Sequence, residues 1–151
     1  MAASQNSLNH IDFMKAALAQ AHIAFELGEI PIGAVIVHSN KIIAKSYNQV
    51  QTLKDPTAHA EMLAITSACN HIGAKYLIDC ALYVTLEPCP MCAGAIRWAQ
   101  LSTLVYAASD TKMGYNSFSP LLIPPKVEII KGILDTDASH LLKMFFQNLR
   151  L

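Results

Sequence analysis

The chain has 151 residues, 53% of them hydrophobic, which suits one compact domain with a buried core and excludes an intrinsically disordered chain. Lysine plus arginine and aspartate plus glutamate number 11 each, so the net charge is zero and a broad nucleic-acid-gripping surface is not expected, while a local one is allowed. No apolar run is long enough to cross a bilayer and no basic segment followed by an apolar stretch opens the chain, so the expected location is cytoplasmic.

From about Leu8 to Leu27, Ile11, Met14, Leu18, Ala21 and Phe25 recur every three or four positions, which predicts a helix with one buried face, stopped by Gly28. Glu29-Ile30-Pro31-Ile32-Gly33 leads into a buried strand over Ala34 to Val37. Ser39 and Asn40 suit a tight turn, and Lys41 to Tyr47 returns as a second strand, giving a hairpin. Asn48 falls where that strand ends, and a polar loop runs through Lys54, Asp55 and Pro56. Thr57 is the expected N-cap of a helix from about Ala58 to His71 or Ile72, closed by Gly73. Ala81 to Leu86 reads as a central strand ended by Glu87-Pro88, and a helix starts near Pro90 and runs through Trp98. Thr103 to Ala107 and Val127 to Ile130 predict two more strands. The last helix is expected over Asp135 to Arg150, with Leu141, Leu142, Phe145 and Leu149 on its apolar side. Strands alternating with helices predict an α/β fold with helices on both faces of a sheet. There is no internal repeat or linker, so residues 1–151 form a single domain.

The chemistry concentrates in His59-Ala60-Glu61 and Pro88-Cys89-Pro90-Met91-Cys92. One imidazole and two cysteines can fill three corners of a zinc tetrahedron and leave the fourth for water. Glu61 is not needed as a ligand and is free to shuttle the protons that such a water gives up. On the predicted helices, His59 and Glu61 fall in one first turn. Cys89 and Cys92 are three apart at the start of another, where the helix dipole favours thiolate. Backbone groups around Ala60 and Cys89 are candidates to hold the edge of a substrate ring. A Cys-x-x-Cys pair also occurs in redox sites and in structural zinc sites. A structural site wants a fourth protein ligand, which no other Cys or His supplies at a matching spacing, and a redox pair has no use for a partnered His-x-Glu. A zinc-stabilised RNA-binding module without turnover would equally leave Glu61 idle. Cys69 and Cys80 are expected as small buried hydrophobes, and His10, His22, His38, His71 and His140 as surface or helix-end residues. Lys112, Lys126, Lys131, Lys143 and Arg150 fall in the C-terminal third, either as solvated charges or as a modest basic patch.

The H-x-E…P-C-x-x-C pattern is the known signature of zinc-dependent base deaminases. Around it, Glu29 to Val35, Asp55 to Glu61, Leu82 to Ala95 and the closing Phe145-Phe146 with Arg150 resemble the bacterial tRNA adenosine deaminases of the cytidine deaminase-like superfamily, nearly end to end. The resemblance implies a three-layer α/β/α sandwich around a five-stranded mixed sheet, a homodimer, one zinc per subunit, and conversion of the wobble adenosine of a tRNA anticodon to inosine. It places Asn48 at the flipped-out nucleoside, Ile30 and Leu86 along the pocket wall, and Ala60 and Pro88 among the substrate contacts. It also places Asp110 beside the anticodon backbone or sugar and Phe145 near the neighbouring bases. On their own terms Asn48 and Asp110 could equally be local caps, and Ile30, Leu86 and Phe145 plain core. The sequence departs from the family after Asp110-Thr111-Lys112-Met113-Gly114, where Tyr115-Asn116-Ser117-Phe118 replaces a small, glycine-rich continuation. Leu121 to Pro125 reads as a shortened, proline-stiffened loop, in a region that helps grip the anticodon arm in the family. Pro90 and Trp98-Ala99 resemble instead the related guanine deaminases, which act on a free base, so a small purine or pyrimidine is the alternative substrate.

Overall fold

The computed structural model describes residues 2–149, so Arg150 lies outside the described residues. Helix α1 spans Ala2–Glu26 and begins before the apolar repeat that predicted it. Its buried stripe is Met14, Ala17, Leu18, Ala21 and Ala24. The alanines let it lie close on the sheet: a Cβ on Gly33 would run into the Ala17 carbonyl and the Gln20 side chain. Gly28, at φ 77°, turns the chain out of the helix.

Strand β1 (Gly33–His38) pairs antiparallel with β2 (Lys41–Tyr47) through Ser39 and Asn40, at φ 50° and 63°. Positive φ at both turn residues matches the right-handed twist of the flanking strands, which is why Ser-Asn suffices without glycine. Beyond β2 the polar loop carries a short helix, α2 (Val50–Leu53), which the sequence reading left as loop. One turn is too short for periodicity to reveal. Helix α3 (Ala60–Ile72) starts two residues later than Thr57 as N-cap requires, and His59 holds the cap position. Asp55 Oδ1 accepts both the Thr57 backbone N–H and its hydroxyl, each at 2.8 Å, so the Thr57 hydroxyl is engaged in that turn and not at the helix end.

Strand β3 (Cys80–Leu86), helix α4 (Pro90–Ala99) and strand β4 (Thr103–Ala108) follow as one strand-helix-strand crossover with β3 and β4 parallel. Two 3-10 turns, Tyr115–Ser117 and Pro120–Leu122, lead to β5 (Glu128–Lys131), parallel to β4, and to helix α5 (Asp135–Leu149). The sheet order is β2-β1-β3-β4-β5, a five-stranded mixed sheet.

Alternation along the strands divides the core in two. Ala34, Ile36, Leu82, Val84 and Leu104 face α3 and α4, while Val35, Val37, Tyr83 and Val105 face α1 and α5. The result is the three-layer sandwich expected from the sequence. Two side-chain expectations change: Cys80 is buried but Cys69 only half-buried, and His10 shares a 2.7 Å hydrogen bond with the buried Tyr83 hydroxyl where a surface residue was expected. Among the described residues no helix is long and apolar enough to cross a membrane.

Candidate active site

Two helix N-termini and the end of a central strand meet at one place. His59 caps α3 with extended backbone, φ −70° and ψ 152°, and its side chain makes no cap hydrogen bond. Cys89 caps α4 in the same conformation, with Pro90 setting the first turn and Cys92 one turn in. His59 Nδ1 lies 3.6 Å from Cys89 Sγ and 3.5 Å from Cys92 Sγ. Among the described residues these three form the one His/Cys/Asp/Glu cluster whose donor atoms all lie within 4.8 Å of one another. A tetrahedral zinc with bonds of about 2.05 Å to nitrogen and about 2.3 Å to sulfur needs nitrogen and sulfur about 3.6 Å apart, so the donors fit that ion.

Without a metal, the cluster shares protons unevenly. The Cys92 thiol donates to Cys89, and this bond, with that to His59, lowers the Cys89 thiol to about 4 despite burial. The Cys89 partner raises the His59 imidazole, and the same Cys89 bond together with burial raises the Cys92 thiol. The low value favours thiolate at Cys89, the form in which a cysteine binds a metal.

Glu61 sits one residue into α3, 4% exposed, and burial pushes its carboxyl up to about 7. Two adjacent cavities, of about 650 and 510 Å³, flank the cluster and share Ile30, Ile32, His59 and Phe146 in their linings. Asn48, Ala60 and Phe145 line the first; Glu61, Leu86, Cys89 and Asp110 line the second. Asn48 is buried, its Nδ2 donates to the Ile30 carbonyl at 3.3 Å, and its Oδ1 has no partner. Pro88 is buried between the second cavity's Glu87 and Cys89, its carbonyl accepting the Tyr115 N–H at 2.8 Å. Asp110 Oδ1 accepts the N–H groups of Lys112 and Met113, so it does cap a turn while lining the cleft. Phe145 is 7% exposed and packs edge-on to Phe25 at 6.1 Å, whereas its neighbour Phe146, 42% exposed, borders both cavities.

The sequence reading passed over three residues here. Glu29 accepts the N–H groups of Gln51 and Thr52 and the Thr52 hydroxyl at 2.7–2.9 Å, holding the start of α2. Burial raises its pKa, yet these bonds outweigh that and hold it below the ordinary carboxylate value of 4.5. In the sequence Glu87 reads as a strand end and part of a motif, and Phe146 as part of a motif. An acid inside an otherwise apolar block, as in Leu86-Glu87-Pro88, was the available signal.

A mixed sheet sandwiched by helices, with three side chains able to hold a metal ion on two helix N-termini and a spare buried carboxylate, is the arrangement of a hydrolytic deaminase. The chain belongs to the MafB19-like deaminase family, which matches it over residues 8–150. It is 46% identical over 143 residues to the tRNA-specific adenosine deaminase of Aquifex aeolicus (strain VF5), spanning 91% of this chain and 94% of that protein. A solved structure from work on A-to-I editing by tRNA:A34 deaminases at the wobble position of transfer RNA superposes with a TM-score of 0.81 at 39% identity, covering 86% of this chain and 98% of that one. A guanine deaminase from Bacillus subtilis superposes with a TM-score of 0.64 at 46% identity, covering 72% of this chain and 68% of that one.

Proposed function

We propose that this protein is a zinc-dependent hydrolytic deaminase that converts the wobble adenosine of a tRNA anticodon to inosine and releases ammonia. The observation that carries the chemistry is the fit of His59, Cys89 and Cys92 to three tetrahedral corners with Glu61 left unligated beside them. Zinc held by His59, Cys89 and Cys92 would lower the pKa of a water toward neutrality and so supply a nucleophile at ordinary pH. Glu61, its own carboxyl near 7, would accept one proton from that water and deliver it to the adjacent ring nitrogen, then take the remaining proton of the newly formed hydroxyl and pass it to the amine, so that the C–N bond breaks, ammonia leaves and a carbonyl remains. The unpaired Asn48 Oδ1 offers an acceptor to an N–H of the bound nucleoside, Ala60 places backbone beside the ring, and Ile30 and Leu86 give apolar walls, whereas Pro88 lines neither cavity and its carbonyl is engaged by the Tyr115 N–H.

Cavities on both sides of His59 leave room beside a bound base, and this supports a substrate that brings flanking nucleotides. Asp110 and Lys112 border the second lobe, where sugar and phosphate would lie, and the exposed Phe146 ring is better placed than the packed Phe145 to meet a neighbouring base. The similarity to tRNA adenosine deaminases over nearly the whole chain supports the same reading. Free guanine is the second reading, favoured by the likeness to a guanine deaminase. We place the reaction in the cytoplasm and in a homodimer. Trp98 on α4, 79% exposed, and Leu121 on the adjoining 3-10 turn supply apolar surface for a subunit contact. Ammonia release from the purified protein separates the readings: an anticodon stem-loop should be turned over, and free guanine, adenosine and cytidine should not. Turnover of guanine with none of the stem-loop would reverse the assignment.

A further inference from the structure

Glu29, Glu61 and Glu87 are all buried around this cleft, and the reaction above uses only Glu61. Glu87 is 5% exposed and sits between β3 and the metal ligand Cys89. Its Oε1 accepts the Asp110 N–H at 3.3 Å and its Oε2 the Asn116 N–H at 3.1 Å. Its own N–H donates to the Ala108 carbonyl, and the Tyr115 N–H donates to the Pro88 carbonyl, both at 2.8 Å. Both ends of the segment from Ser109 to Asn116 are thus fastened to the two residues that precede Cys89. Between those ends Gly114 donates to the Asp110 carbonyl at 3.0 Å, and a Cβ there would run into that carbonyl and into the Glu87 carboxylate. The fastened segment turns Asp110, Lys112 and Met113 toward the cavity that also holds Glu61 and Cys89.

We propose that Glu87 is a positioning residue: its carboxylate fixes the Ser109–Met113 wall of the cleft relative to the metal ligands and so sets how tightly substrate is gripped, without touching the reacting atoms. The proposal rests on the reading of this cleft as the substrate site. Two backbone donors from opposite ends of the segment need two acceptor oxygens, and a carboxylate supplies both. Glutamine supplies one and sets an amide N–H against the other donor. Aspartate is one methylene short.

The test uses the metal-loaded protein with Glu87→Gln, Glu87→Ala and Gly114→Ala, the last loading the same contact from the loop side. Three quantities are read: metal per subunit, tryptic cleavage after the exposed Lys112, and kcat and KM separately. Losing one charge-assisted hydrogen bond should speed the Lys112 cut about tenfold in Glu87→Gln, and more in Glu87→Ala, with metal content unchanged. KM should rise about tenfold while kcat stays within about twofold. If Glu87→Ala does not fold, Glu87→Gln and Gly114→Ala carry the same reading. Unchanged cleavage at Lys112, loss of metal, or a fall in kcat at constant KM would each overturn it. Should the wild-type protein leave an anticodon stem-loop untouched, KM is read on whichever of guanine, adenosine and cytidine it deaminates, so failure of the tRNA reading leaves this test standing.

Discussion

Glu61→Gln should make the protein more stable and nearly inactive at once. Glutamine keeps the shape of a side chain that is 4% exposed, so the fold and the three metal donors are retained. Burial has pushed the Glu61 carboxyl from 4.5 up to about 7, which means the folded chain holds this proton more tightly than the unfolded chain does. As pH rises from 4.5 toward 7 the unfolded carboxyl ionises first, and stability is lost across that window. At roughly 1.4 kcal/mol for each tenfold change in proton affinity, the gap between 4.5 and about 7 destabilises the folded, metal-free protein by about 3 kcal/mol above neutrality. A neutral amide removes that penalty. Urea unfolding with a chelator and a reductant present should therefore find Glu61→Gln about 2–3 kcal/mol more stable at about pH 8, with the difference vanishing toward about pH 4. Turnover of the metal-loaded variant should fall by about 10³, within the range a positioned acid-base group contributes. A variant less stable than wild type, or a difference that does not grow with pH, would refute burial as the cause. Turnover within about tenfold of wild type would refute Glu61 as the proton carrier.

Cys92→Ser should abolish stoichiometric zinc binding and turnover together, and zinc uptake by the wild-type protein should release protons, because the raised Cys92 thiol and His59 imidazole must both give theirs up; metal analysis and proton release in weak buffer check this. Glu29→Ala leaves two backbone N–H groups and a hydroxyl without acceptors and should cost about 2–3 kcal/mol in urea unfolding. Since Glu29 is held below 4.5, its contribution is complete above that value and is lost only as pH falls through the lowered one, so the wild-type advantage should shrink in acid. Asn48→Ala should lower kcat/KM about 10- to 100-fold with zinc content unchanged, read by ammonia release.

Much of this architecture was legible because it rests on local rules. Alternating and continuous apolar runs located all five strands, Gly28 and Gly73 closed their helices, and Ser39-Asn40 set the hairpin. The metal cluster was legible for a similar reason. Each ligand is fixed by its place at a helix start, so a spacing in sequence becomes a distance in space. What the sequence hid depends on partners far along the chain. Helix α2 exists through Glu29, about twenty residues earlier, and the Asp110–Asn116 loop takes its shape from Glu87, likewise remote. Phe145 and Phe146 are adjacent on one helix, and only the position of Phe25 on α1 decides which of them is packed. Thr57 lost its expected cap role because its own N–H and hydroxyl both donate to Asp55, two residues back, which draws it into a turn ahead of the helix.

The three buried carboxylates of the cleft show why one of them is reactive. Glu29 receives three hydrogen bonds on one side of the cleft and Glu87 two on the other, so each is committed to holding a loop. For Glu29 those bonds overcome burial and keep the charged form favoured. Glu61 is as deeply buried, but the cluster beside it offers a thiolate that raises its proton affinity further, and its own backbone N–H offsets burial only in part. Its carboxyl comes to rest near 7, where gaining and losing a proton are about equally easy. Glu29 and Glu87 hold loops in place, while in the proposed reaction Glu61, whose donors only partly offset burial, is the proton carrier.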